Sequence, residues 1–402
     1  MREHRLTAAA ACAALIVVAG CSASDVKDAV TPDQAPKEPI TLTPNVEQKA
    51  SGVKVSTRVK VLAENGEISR ATLTTVDKGT TINGRVGKNG WTAAERLEPS
   101  TTYRLRAEGT GEDGRTDTVT RTFTTQALSL AEQTYPSVAP LQGETVGVGM
   151  PVIVTFDVPV KNRSLYEKHM QVTTNKDVEG SWTWFSDREA HYRPEKFWPA
   201  HTRVKVDLTL NSLPAGGGVY GQQDQKIDFK VGKKAVTIVN VAQHRLSYTV
   251  DNEVVRKIPV TTGDDTHRTR EGIKVIMEKF SSVDMDAATT GVDSEDPGYY
   301  NISDVRWAMR VTNSGEFLHA APWSVASQGN ANVSHGCTGM STANAKWLYD
   351  NSRRGDVVKY VNSPRPLEDR NGWTDWNVPW SEWTSGSALE QEPIGDPEVN
   401  DA

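Results

Sequence analysis

Ser334-His335-Gly336-Cys337, with His319 eighteen residues before the cysteine, sets a thiol, two imidazoles and a bendable backbone close together. A cysteine that does chemistry acts as its thiolate, so it needs a basic or cationic neighbour and partial exposure. His319 is the candidate base. Gly336 has no Cβ, which lets the chain bend and a substrate carbonyl approach closely. Thr338 and Gly339 lead into an apolar-periodic run from Ser341 to Tyr349, with Ser341 placed as N-cap. This predicts that the cysteine sits just before a helix start, where free N–H groups and the positive dipole end favour a thiolate and a developing oxyanion. Two other readings use the same residues. A single Cys is often a small buried hydrophobe. His319, His335 and Cys337 are also all zinc-ligand types, although no C-x-x-C or H-x-x-x-H accompanies them and a closed site would borrow a fourth ligand from afar.

The elements that must position these residues form the last third of a 402-residue chain, long enough for two to three domains with their own cores. A net charge of −6 offers no basic footprint for nucleic acid. Residues 1–20 read as a signal peptide: Arg2 and Arg5 precede a short apolar segment ending Val18-Ala19-Gly20-Cys21. That ending resembles a bacterial lipobox, with Cys21 as the lipidated N-terminus. Cys12 would leave with the signal and Cys21 would carry lipid, so Cys337 becomes the one free thiol of an exported chain, with no disulfide available. Residues 21–43, polar and aperiodic, read as a flexible tether.

From 44 to 127 the chain alternates as half-buried strands do. Val53 to Val61 has period two, with Glu64-Asn65-Gly66 as a hairpin turn, and Arg115 to Thr125 repeats the pattern. Leu97 to Tyr103 resembles the tyrosine corner of immunoglobulin-like sandwiches. A second unit of similar length, 128–232, carries an echo of that corner with Arg203 at the tyrosine place. Two tandem β-sandwiches are expected. The catalytic unit, 233–362, opens as a β-meander: Ala235–Val241, Leu246–Val250 and Val254–Thr261. Ile273 to Phe280 is the next expected strand, Ser281 to Tyr300 a polar loop over the site, and Val357 to Val361 the closing strand. Trp373, Trp376, Trp380 and Trp383 mark 363–385 as a segment that packs back on the catalytic domain; 386–402 reads as an acidic, disordered tail.

His319-Ala320-Ala321-Pro322-Trp323 followed by Asn332-Val333-Ser334-His335-Gly336-Cys337 resembles the signature of the L,D-transpeptidases (the YkuD family). The likeness runs from about residue 235 to 361, with a flanking layout similar to the lipid-anchored actinobacterial members. It implies a mainly β fold, two immunoglobulin-like sandwiches before a YkuD-type domain with a short helix after the catalytic Cys. It implies Cys337 as nucleophile and His319 as general base, oriented by a backbone carbonyl next to it. His335 has two readings, a second catalytic imidazole or a ring fixing the loop. The N–H groups of Gly336 and Cys337 would form the oxyanion hole. Tyr300 (Tyr299 if the gap falls differently), Ser314, Gly315, Ser334 and Gly339 would line the cleft, with Met277 near its mouth. The family needs no metal or cofactor.

The partners so implied are peptidoglycan stem peptides, a donor tetrapeptide and an acceptor stem, and the membrane through Cys21. The implied place is the extracytoplasmic face of the cell membrane. Hydrolysis of the same thioester, or a non-catalytic wall-binding role, are the alternatives. Two departures from the family pattern stand out. Arg270 replaces the usual Pro of Thr-Pro-x-Gly, read as a matter of loop stiffness. Gly339 stands where many relatives have Asn.

Overall fold

A computed structural model describes residues 37–290, 293–296 and 299–389. The signal peptide, Cys21, most of the tether and the greater part of the acidic tail lie outside the described residues.

Each region builds its own core from strands. The first sandwich packs two four-stranded sheets around Val61, Leu73, Trp91, Tyr103, Leu105 and Phe123. Its tyrosine corner is present, with the Glu98 N–H donating to the Tyr103 hydroxyl at 2.8 Å. Two expectations change here. Val53 to Val61 is not one strand; the strand is Lys60–Glu64. Nor does Asn65 close a hairpin. Lys60–Glu64 and Gly66–Thr75 belong to different sheets, so this turn carries the chain from one layer to the other. Residues 37–43, read as tether, are partly drawn in: Thr41–Pro44 pairs with Lys60–Glu64, and Ile40 and Leu42 are buried. Two apolar side chains two residues apart are enough to add an edge strand.

The second sandwich buries Phe156, Trp184, Trp198, Val206 and Phe229. Arg203, at the corner position, is exposed at the start of the strand Arg203–Leu208; Trp198 takes the anchoring part, its indole N–H donating to the Met150 carbonyl at 2.7 Å. This sandwich meets the third unit backbone to backbone: the Gly147 N–H donates to the Arg354 carbonyl and the Gly149 N–H to that of Gly355, both at 2.8 Å. A Cβ on Gly147 would lie 2.1 Å from the Asp356 nitrogen, so only glycine allows that approach.

The third unit has two sheets. In the six-stranded sheet the meander Glu253–Pro259, Arg245–Val250, Ala235–Asn240 continues through Val357–Val361 to Arg270–Val275 and Arg365–Pro366. Val357–Val361 pairs parallel with Ala235–Asn240 and antiparallel with Arg270–Val275, which makes it central rather than merely closing. The four-stranded sheet runs Glu278–Asp286, Asn301–Arg310, Phe317–Ala320, Thr338–Met340. The single strand expected from Ile273 to Phe280 is therefore two strands in two sheets. Between the sheets lie Leu246, Ile258, Met309, Leu318, Leu348 and Tyr360.

The Trp-rich segment was expected on the catalytic domain. It lies mainly on the second sandwich, with one foot on the catalytic sheet. Trp383 is fully buried, donates to the Ser181 carbonyl at 2.9 Å, and lies under the Arg193 guanidinium. On the catalytic side Asn377 brackets Ile273, accepting from its N–H at 2.8 Å and donating to its carbonyl at 2.7 Å. Ser387 and Ala388, assigned above to a disordered tail, are buried on the Glu167 carboxylate.

Candidate active site

Cys337 and His319 reach one cavity from adjacent parallel strands. Phe317–Ala320 pairs in parallel with Thr338–Met340, with Leu318 opposite Thr338 and His319 opposite Gly339. Cys337 immediately precedes the second of these strands. The cavity, about 190 Å³, is lined by Cys337, His319, His335, Tyr300, Ser334 and Gly339, among others. The expected helix, Thr342–Asn351, is present, and its Ser341 N-cap accepts from the Asn344 N–H. It does not begin at the cysteine. Thr338, Gly339 and Met340 are fully buried and taken up by the sheet, so no helix dipole acts directly on the thiol.

The electrostatics follow from burial. Burial pushes the Cys337 thiol up to about 12. The Phe317 backbone, Lys274 and Arg310 work against that rise, and the Glu316 carboxylate adds to it. The thiol donates to the Gly315 carbonyl at 3.6 Å. Burial lowers His319 below its ordinary value of 6.5, with the Ala320 carbonyl working the other way. A carbonyl can only accept, so the 2.8 Å contact between His319 Nδ1 and the Ala320 oxygen places the proton on Nδ1. Nε2 is then the basic nitrogen. The resting pair is a neutral thiol beside a neutral imidazole, the arrangement in which a general base must remove the proton during attack.

The His335 ring lies tilted against those of His267 and Tyr300, with centres 4.5 Å and 5.2 Å away. Burial, then the neighbouring His267, lowers its pKa. Tyr300 is raised to about 12, mainly by burial, and stays a neutral hydroxyl.

The Gly336 N–H donates to the Ser334 hydroxyl at 3.1 Å, and that hydroxyl donates to the Cys337 carbonyl at 2.7 Å. The expected oxyanion donor at Gly336 is thus occupied in tightening the turn. Gly336 itself has φ +123°, a conformation that excludes other residues.

Ser314 does not join the cavity: its N–H donates to the Asn371 side chain, whose amide returns a bond to the Ser314 hydroxyl. Gly315 contributes its carbonyl, not a wall. Met277 lies instead on a separate open cleft with Arg310, Asn313, Arg354 and Trp373. Gly339 has a packing reason: a Cβ there would meet Ala321 at 2.9 Å and Thr261 at 3.0 Å. Sequence reasoning missed Trp323, Met285, Ile302 and Thr261 in the walls. A large aromatic four residues after the candidate base was the available signal for Trp323. Among the described residues no three His, Cys, Asp or Glu side chains cluster as a metal site.

A thiol and an imidazole fixed by its neighbour's carbonyl share a small, mostly apolar cavity on a two-sheet β domain that follows immunoglobulin-like modules. Comparison with known proteins places it. Residues 234–359 match the L,D-transpeptidase catalytic domain family (YkuD), and residues 50–214 match a bacterial Ig domain family. The chain is 37% identical to L,D-transpeptidase 2 of Mycobacterium tuberculosis over 86% of this chain and 85% of that protein. It is 36% identical to L,D-transpeptidase 5 of the same species, over 82% and 73% respectively. A solved structure of the L,D-transpeptidase LdtMt1 in complex with imipenem superposes with a TM-score of 0.50 at 34% identity, covering 56% of this chain and 97% of that one. The chain belongs to the L,D-transpeptidase family.

Proposed function

We propose that this transpeptidase works through a Cys337 thioester. Cys337 attacks the carbonyl of the third residue of a tetrapeptide stem, a diaminopimelate bonded through its L-centre, as His319 Nε2 takes the thiol proton. The Cys337 N–H is the donor we assign to the oxyanion. The imidazolium returns the proton to the departing D-Ala amine. The side-chain amine of an acceptor stem then attacks the thioester, His319 accepts its proton, and a 3→3 cross-link forms with the thiol restored. The observation that carries this reading is the Nδ1-anchored His319 facing the same cavity as Cys337. Trp323, 5.9 Å from the His319 ring and largely exposed, would shield the imidazole from one side.

His335, packed between Tyr300 and His267, fits the loop-fixing role better than that of a second base. Incubation of the protein with a purified tetrapeptide stem, followed by mass analysis, is expected to give a cross-linked dimer lacking one D-Ala. Tripeptide alone would mean hydrolysis instead of transfer, and unchanged stem would defeat the reading.

The wall-facing location and the lipid anchor are part of the same proposal, supported by the Val18-Ala19-Gly20-Cys21 run. Cys21→Ser is expected to move the chain from the membrane fraction to the soluble exported fraction; unchanged membrane association would place the anchor elsewhere.

A further inference from the structure

Near the cysteine, Lys274 and Glu316 are buried together, with the half-buried Arg270 beside them. Lys274, on the strand Arg270–Val275, is almost wholly buried and pairs with one oxygen of the buried Glu316 carboxylate. The other oxygen accepts from the Arg270 guanidinium at 3.0 Å and from the Arg270 N–H at 3.1 Å. Arg270 continues to Glu368 at the surface. The Lys274 ammonium also sits 3.8 Å from the centre of the Tyr360 ring.

This cluster touches the chain on both sides of the nucleophile. The Glu316 carboxylate lies next to Gly336, where a Cβ would be in ordinary contact with it at 3.4 Å. The Thr269 hydroxyl, next to Arg270, donates to the Gly336 carbonyl at 2.7 Å. Tyr360 shares a 2.8 Å bond between hydroxyls with Thr338. Glu316 itself lies between Gly315, whose carbonyl receives the thiol, and Phe317, whose backbone faces the sulfur. Buried charges are costly to desolvate, and a simple anchor for two strands could be apolar. Two cations and one carboxylate against a reacting sulfur therefore call for an electrostatic role.

We propose that Lys274 and Glu316 are positioning residues for Cys337, a buried charge pair that holds the backbone cradle of the thiol and sets how readily the thiol gives up its proton. The inference rests on Cys337 being the nucleophile. The other ionisable groups facing the sulfur are Arg310 on the strand Asn301–Arg310, Tyr300 before it, Tyr360 on the central strand, and His319 and His335 at the cavity. The two tyrosines are held neutral by burial. Lys274 favours the thiolate and Glu316 opposes it, so the two members act with opposite sign. Arg270, read from sequence as a matter of loop stiffness, is the second cation on the Glu316 carboxylate.

The test is the rate of alkylation of Cys337 by iodoacetamide from pH 6 to 10 in the full chain, read by the mass of the Cys337 peptide. It needs no stem peptide, so its outcome is separate from that of the cross-linking assay. Glu316→Gln is expected to react about tenfold faster than wild type at pH 7, and Lys274→Met about tenfold slower. The double variant should return to within about threefold of wild type. Where Glu316→Gln does not fold, the step from Lys274→Met to the double variant reads the same carboxylate, and it should be an acceleration. Rate profiles that superimpose on wild type, or two single variants shifted in the same direction, would overturn the proposal and leave the cluster a strand anchor only.

Discussion

Cys337→Ala is expected to abolish cross-linking and every covalent adduct with a stem peptide, a loss on the order of 10⁵–10⁶-fold, because in the proposed mechanism this thiol forms the acyl bond. His319→Ala should lose nearly as much. The reason lies in the site's electrostatics. Burial holds the thiol at about 12, so at neutral pH only about one molecule in 10⁵ carries a thiolate without help. The imidazole must lift the proton as the sulfur attacks. Removing either partner therefore removes the same step, and the double variant should be no worse than either single one. Folding should survive Cys337→Ala, since the change removes a single sulfur from a buried position just before the strand Thr338–Met340. Turnover should also survive exhaustive chelation. Full turnover by Cys337→Ala would sink the reading; loss on chelation with recovery on added zinc would point to a metal held by His319, His335 and Cys337.

The chemistry was legible because it is carried by side-chain types at fixed spacing, while its tuning was not. His319 and Cys337 stand out in the sequence and converge in the structure, since parallel pairing puts His319 opposite Gly339. The helix-start argument for the thiol failed at Thr338, Gly339 and Met340. Three residues are too short to announce a strand by periodicity, yet they pair with Phe317–Ala320 and displace the helix from the sulfur. Glu316 could not be placed at all. An isolated Glu beside a Gly reads as a surface residue, and only the fold brings Lys274 and Arg270 to it across more than forty residues. Gly339 is similar. Its sequence signal was an absent amide; its structural cause is the close approach of Ala321 and Thr261. Strands were recognisable as strands, but the turn at Asn65 shows that pattern alone cannot say which sheet the next strand joins.

Removing the chain after Asn362 is expected to lower the melting temperature of the second sandwich by more than about 10 °C and to reduce activity. Trp383 is fully buried between the strand Gly180–Trp184 and Arg193. Losing a buried Trp costs about 3–5 kcal/mol, and each kcal/mol is worth about 4 °C or more in a unit of roughly 100 residues. More is lost with it. Arg193 gives up the rings of Trp376, Trp380 and Trp383 and the Val378 carbonyl that it reaches at 2.8 Å. His191 loses Asp375, its 2.9 Å partner. Activity should fall because Asn377 bonds to both backbone groups of Ile273, one residue before Lys274, and Asn371 holds Ser314 beside Gly315. A cut after Ser385 should also destabilise, though less, because it removes two of the groups that hydrogen-bond the buried Glu167 carboxylate. The effect should depend on pH. Burial alone would lower His191, but Asp375 and Glu189 outweigh it and hold the ring at about 9, against an ordinary 6.5. A raised pKa in the folded state stabilises fully below 6.5 and fades as the pH climbs through 9. The gap in melting temperature between full and truncated chains should thus be widest near pH 6 and narrow above pH 9. Equal melting and equal turnover would mean that the segment is no part of the fold, and a gap indifferent to pH would remove His191 from the account.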